Sequence, residues 1–156
     1  MLKVGFIGLG TMGFPIAGHI SQSYETAVFN RTTNKSQKWT SKFKGEVCES
    51  IKDLALKSNV IFLCLSEDKD IEEVVLGSDG ILEHLNEETI VVDHSTTSVD
   101  TATLISNELL KKDSIFLDAP VSGGEVGAKN GTLSVMIGGD DLAYKQISPI
   151  LDCYSA

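Results

Sequence analysis

Short apolar runs alternate with longer amphipathic stretches from one end of the chain to the other. Leu2 to Ile7 is mostly apolar and stops at Gly8, which predicts a short buried strand. Met12 to Ser23 places Ile16, Ala17 and Ile20 on one helical face, with Pro15 in the first turn, where its missing N–H costs little. The pattern continues with a strand over Thr26 to Asn30, a polar helix over Thr33 to Lys42 and a short strand at Glu46 to Cys48. Ser50 is placed to cap a helix through Ala55, with Asp53 three residues on. Asn59 to Leu65 is the clearest buried strand. Helix follows over Asp68 to Leu76, a turn at Gly77 to Gly80, and a short helix at Ile81 to Leu85. Thr89 to Asp93 reads as strand. Ser98 to Lys111 reads as a helix with Leu104, Ile105, Leu109 and Leu110 inward. Strands are expected at Ser114 to Asp118 and Leu133 to Gly138, and a last helix from Asp141 to Leu151. Strands alternating with helices imply an α/β fold, a doubly wound, mostly parallel sheet with right-handed crossovers.

The first strand runs directly into Gly8-Leu9-Gly10-Thr11-Met12-Gly13, and a helix follows. This is G-x-G-x-x-G in the context that makes it a dinucleotide signal, the Rossmann fingerprint. Gly8 allows the tight turn, Gly10 lets backbone approach a pyrophosphate, and Gly13 lets helix and strand pack closely. The helix start then offers N–H groups to the anion. A carboxylate at the end of the second strand would bond a ribose 2′-hydroxyl. Here that strand ends in Asn30-Arg31-Thr32, with no carboxylate. Arg31 can pair with a 2′-phosphate as a planar donor, Asn30 and Thr32 can add neutral hydrogen bonds, and Lys35 can add charge. NADP(H) is therefore the expected cofactor, with NAD(H) as the other possibility.

With 156 residues and 42% hydrophobic content, the chain fits one domain with one core. Its net charge of -9 argues against nucleic acid or an anionic membrane as partner. Cys48, Cys64 and Cys153 are odd in number and widely spaced, so neither a metal site nor a disulfide framework is expected, and a reducing, cytoplasmic setting is. Cys64 reads as inert core. The glycines that interrupt the first apolar run argue against a signal peptide.

Three further segments stand at predicted strand ends: Cys64-Leu65-Ser66, Asp93-His94-Ser95-Thr96-Thr97 and Asp118-Ala119-Pro120-Val121-Ser122-Gly123-Gly124. Together with the glycine motif and Asn30-Arg31-Thr32, they resemble the β-hydroxyacid dehydrogenase family over nearly the whole chain. Asp118 to Gly139 is similar to that family's substrate-binding signature almost position by position. The resemblance implies that Ser122, Gly123 and Gly124 meet a small carboxylate substrate, and that Leu65, Ser66 and Thr96 line the nicotinamide-ribose side. It also implies a helical C-terminal domain, and within it a catalytic lysine beyond Ala156, so no catalytic residue is expected in the chain itself. It implies a homo-oligomer as well.

Adjacent residues at a strand end point apart, so Asp93, His94 and Ser95 are not expected to form a nucleophilic triad. Lys129 is expected to be a solvated charge on a helix turn. An unpartnered last helix would leave Ile147, Ile150 and Leu151 open and favour self-association. Two other functional readings remain: a non-catalytic dinucleotide-binding module, and a relative of 6-phosphogluconate dehydrogenase.

Overall fold

A computed structural model describes residues 1–156. Six parallel strands form one sheet: β1 (Val4–Ile7), β2 (Thr26–Phe29), β3 (Glu46–Val47), β4 (Val60–Leu63), β5 (Ile90–Asp93) and β6 (Ile115–Asp118). Their order is β3-β2-β1-β4-β5-β6. The direction of winding therefore reverses between β1 and β4, and such a reversal leaves a crevice at the carboxyl ends of those strands. The connecting helices are α1 (Gly13–Ser21), α2 (Thr33–Lys42), α3 (Ile51–Lys57), α4 (Asp68–Leu76), α5 (Val99–Leu110), α6 (Gly124–Asn130) and α7 (Asp141–Leu151). No helix is long and apolar enough to cross a membrane.

The two-residue period of the strands sorts their side chains to two faces. Val4, Phe6, Val28, Phe62, Val92 and Leu117 join Ile16 and Ile20 of α1, Trp39 of α2 and Ile147 of α7 in one cluster. Ile7, Ile61, Leu63 and Val91 join Leu54 of α3, Ile71 of α4 and Ile105 of α5 in the other. Gly5 faces α3 so closely that a Cβ there would lie 2.5 Å from the Leu54 side chain. The Ser50 cap forms as its spacing predicts, and the structure adds two more on the same pattern. The Ser50 hydroxyl accepts from the Asp53 N–H, Ser98 from Thr101 and Asp140 from Ala143.

Three expectations change. On α5, Thr101, Ile105 and Leu109 are buried, whereas Leu104 and Leu110 are exposed. The helix lies over β6, an edge strand, so one i, i+4 row meets the sheet and the flanking leucines do not. On α7, Ile147, Ile150 and Leu151 are core, not an open surface. Burying each gains about 2 kcal/mol over leaving it wet, which turns that face inward. Leu142 and Tyr144 are the exposed apolar residues of that helix, so the self-association argument loses its residues. Finally, the expected strand at Leu133 to Gly138 contracts to β8 (Ser134–Val135), paired antiparallel with β7 (Val121–Ser122) in a separate ribbon.

Candidate dinucleotide site

The strands of the sheet end in register. Ile7 pairs with Phe29 and Leu63, Leu63 with Asp93, and Asp93 with Asp118. The residues that follow these ends form one rim. A cleft of about 380 Å³ opens there, at the winding reversal, lined among others by Gly8, Gly10, Asn30, Arg31, Leu65 and Ser66. A larger cleft, about 570 Å³, lies at the opposite, amino ends of β1 and β2, beside Lys3, Tyr24 and Lys44. It has neither a glycine loop nor a helix start, so the chemistry points to the smaller one.

The glycines behave differently from one another. Gly8 has φ +103°, and a Cβ on it would sit 2.2 Å from the Cys64 carbonyl oxygen. A Cβ on Gly13 would sit 1.9 Å from the Gly8 carbonyl oxygen, so α1 can start against β1 only without one. A Cβ on Gly10 would meet nothing within 4 Å. Its openness is a feature of the cleft and has no packing cause. The N–H groups of Gly10, Thr11, Met12 and Gly13 have no acceptor within the chain. Four consecutive donors at the start of a nine-residue helix suit a pyrophosphate, and the open space over Gly10 lets it approach.

At the β2 tip, Asn30 is engaged with the protein. Its Oδ1 accepts from the Leu9 N–H at 2.8 Å, and its Nδ2 donates to the Thr32 carbonyl at 3.1 Å. Arg31 and Thr32 are exposed, and the Thr32 hydroxyl does not cap α2. Neither Arg31 nor Lys35 has a carboxylate partner within 4.0 Å. On the opposite wall, α4 and the turn after it bring Asp70, Glu73, Val74 and Asp79 to the cleft. The sequence reading missed this wall. Its signal was the three-residue spacing of Asp70 and Glu73, which puts both on one helix face.

The other half of the rim is tied down by buried polar groups. The Ser95 hydroxyl accepts from the Leu65 N–H at 2.8 Å, and the Ser95 N–H donates to Asp93 Oδ1 at 2.9 Å. The Thr97 hydroxyl donates to the other Asp93 oxygen. Burial pushes the Asp93 carboxyl up from its ordinary value, against the lowering effect of these bonds. His94 is buried, with Nδ1 2.6 Å from the Ala119 carbonyl and Nε2 2.6 Å from the Tyr154 hydroxyl. A carbonyl only accepts, which assigns the proton to Nδ1, so Nε2 accepts from Tyr154. Burial lowers the His94 pKa to about 4. His94 bonds neither Asp93 nor the Ser95 hydroxyl, which is taken by the Leu65 N–H, so no triad forms. Cys64 stands at the β4 end, half-buried, and burial pushes its thiol up to about 11, so the group is inert at neutral pH.

Thr96 is exposed at the β5 tip. Ser122, Gly123 and Gly124 are exposed at the entry to α6 and lie outside the lining of the cleft. Gly123 and Gly124 have φ of +131° and +62°, conformations that favour glycine. Leu9 is buried and supports the loop from behind. Lys129 is an exposed charge on α6, paired with Glu125 at 2.7 Å.

Residues 3–156 match the family described as the NAD binding domain of 6-phosphogluconate dehydrogenase. An uncharacterized oxidoreductase of Shewanella frigidimarina is 43% identical over 156 residues, covering 99% of this chain and 54% of the relative. The chain spans about half the length of the curated relatives it matches. Among solved structures, Psf3 in complex with NADP+ and 2-OPP is similar at TM-score 0.93 and 31% identity, covering 98% of this chain and 54% of that one. The 3-hydroxyisobutyrate dehydrogenase of Mycobacterium tuberculosis is similar at TM-score 0.92 and 26% identity, covering 99% and 52%. Sheet order, glycine loop and a match over almost every residue agree: the chain belongs to the β-hydroxyacid dehydrogenase family and carries its NAD-binding domain.

Proposed function

We propose that this domain binds NADP(H) in preference to NAD(H) and serves an oxidoreductase acting on a small hydroxy acid or the matching semialdehyde. The four unpartnered N–H groups from Gly10 to Gly13 carry the reading, since they offer a preformed anion site beside an open cleft. Arg31 and Lys35, free of carboxylate partners, support a 2′-phosphate at the β2 tip, as does the positive end of α2. The complex of Psf3 with NADP+ supports the same choice.

The bound nicotinamide would donate or accept the hydride. The protein's part is to hold it: the glycine loop takes the pyrophosphate, and Leu65, Ser66 and Thr96 line its ribose side. The exposed Ser122 hydroxyl and the Gly123 and Gly124 backbone offer donors to a substrate carboxylate. Val121 to Val126 contributes no cation, and the neighbouring Lys129 is paired with Glu125. An uncharged tail therefore suits this rim better than a phosphorylated one. The relatives are about twice as long, which supports a second domain that supplies the proton donor for the substrate oxygen. On its own the 156-residue chain should bind cofactor with negligible turnover.

The test is a fluorescence titration of the chain with NADPH and with NADH. Tighter NADPH binding is expected, and Arg31→Asp should cut the NADPH affinity by about tenfold to a hundredfold, the range of a charge-assisted contact. An unchanged NADPH-to-NADH ratio would remove Arg31 from the 2′-phosphate.

A further inference from the structure

Asn30 sits where a 2′-phosphate ligand would be sought, yet its amide faces the protein. Oδ1 accepts from Leu9, and Nδ2 donates to the Thr32 carbonyl. It thus joins two loops: the one that offers N–H groups to the pyrophosphate and the one that presents Arg31. The backbone beside it repeats the link, since the Gly8 N–H donates to the Phe29 carbonyl at 3.1 Å. Beyond Gly8 the glycine loop has no other hydrogen bond to β2. A Cβ on Gly10 would meet nothing within 4 Å, and the four donors after Leu9 have no acceptor in the chain. Leu9 is therefore the last residue of the loop whose N–H is held, and Asn30 holds it.

We infer that Asn30 is a positioning residue, with no ligand role: it sets the distance between the pyrophosphate loop and the Arg31-Thr32 loop, and so acts on NADH and NADPH alike. This rests on the dinucleotide reading above and changes the role of one residue within it. A ligand of the 2′-phosphate would serve NADPH alone. A holder of the Leu9 N–H serves the pyrophosphate, which both cofactors share. Without it, Leu9 turns its N–H to water and the loop samples orientations in which the four donors diverge.

The experiment measures NADH and NADPH affinity for the unaltered chain, Asn30→Ala and Asn30→Asp, well below each thermal midpoint. Asn30→Ala should weaken both cofactors by the same factor, about five- to tenfold, the range of one neutral hydrogen bond. Asn30→Asp keeps the acceptor for Leu9, loses the donor to the Thr32 carbonyl and adds a charge that repels a 2′-phosphate. It should lower NADPH affinity below that of Asn30→Ala, whereas NADH, which has no 2′-phosphate, is spared that further loss. Loss of NADPH affinity alone in Asn30→Ala would overturn the inference and make Asn30 a phosphate ligand. A lower thermal midpoint with both affinities unchanged would also overturn it, leaving a merely structural residue. If Asn30→Ala does not fold, Asn30→Leu, which fills the same space without an acceptor for Leu9, takes its place: equal weakening of both cofactors supports the inference, and loss of NADPH alone overturns it. Failure of the unaltered chain to bind either cofactor would instead overturn the dinucleotide reading, and this inference with it.

Discussion

Protonating His94 should cost this domain a large part of its stability. The imidazole is buried between Phe62 and Tyr154, with ring centroids at 5.6 and 5.5 Å, and both nitrogens are used. A second proton would put a donor against the Tyr154 hydroxyl, which then loses its acceptor, and would bury a charge beside no carboxylate partner. Burial accordingly lowers the pKa from 6.5 to about 4. A histidine with a depressed folded pKa binds its proton more readily in the unfolded chain. Stability is therefore present above pH 6.5 and is lost as pH falls from there toward 4. Linkage between those two values makes the loss about 2–3 kcal/mol on going from about pH 7.5 to about pH 4.5. Asp93 and Asp118 act in the opposite sense, because burial raises both carboxyls and favours the folded state as pH drops. The comparison must therefore be a difference. Urea unfolding of the unaltered chain and of His94→Asn, whose amide N–H can still serve Ala119, isolates the imidazole. The stability advantage of the unaltered chain should shrink by about 2–3 kcal/mol over that range. A constant advantage at both pH values would refute a buried neutral His94.

The second and third glycines of the loop, Gly10 and Gly13, should separate binding from folding. Gly13→Ala puts a methyl 1.9 Å from the Gly8 carbonyl oxygen, so the helix start must move by about an ångström. It should lower the urea midpoint, with overpacking of about 1–3 kcal/mol exceeding the gain of about 1 kcal/mol from alanine's helix propensity. An unchanged midpoint would show that α1 can start elsewhere. Gly10→Ala meets nothing in the chain and should leave the midpoint unchanged or slightly raised, yet it should lose most NADPH affinity, because its methyl takes the space the phosphates need. Retained affinity would move the pyrophosphate away from Gly10.

What the sequence by itself determined is local. The glycine motif could be read because its contacts close within a few residues: Gly8 turns, and Gly13 meets the Gly8 carbonyl. The caps at Ser50, Ser98 and Asp140 reach three residues ahead. The strand–helix alternation needs only periodicity, and it carried the parallel sheet and the rim at which the family motifs stand. Tertiary structure decided whatever depends on a partner far along the chain. Asn30 bonds a residue 21 positions away, Ser95 one 30 away, and His94 one 60 away. A polar side chain can bond many partners; parallel register brings Leu9 beside Asn30 and Leu65 beside Ser95, and the packing of the segment after α7 brings Tyr154 beside His94. The same holds for apolar faces. Periodicity shows that a helix has a buried stripe, but the width of that stripe is set by what lies beneath. On α5 an edge strand leaves Leu104 and Leu110 in water, and on α7 the sheet and its neighbours enclose Ile147, Ile150 and Leu151.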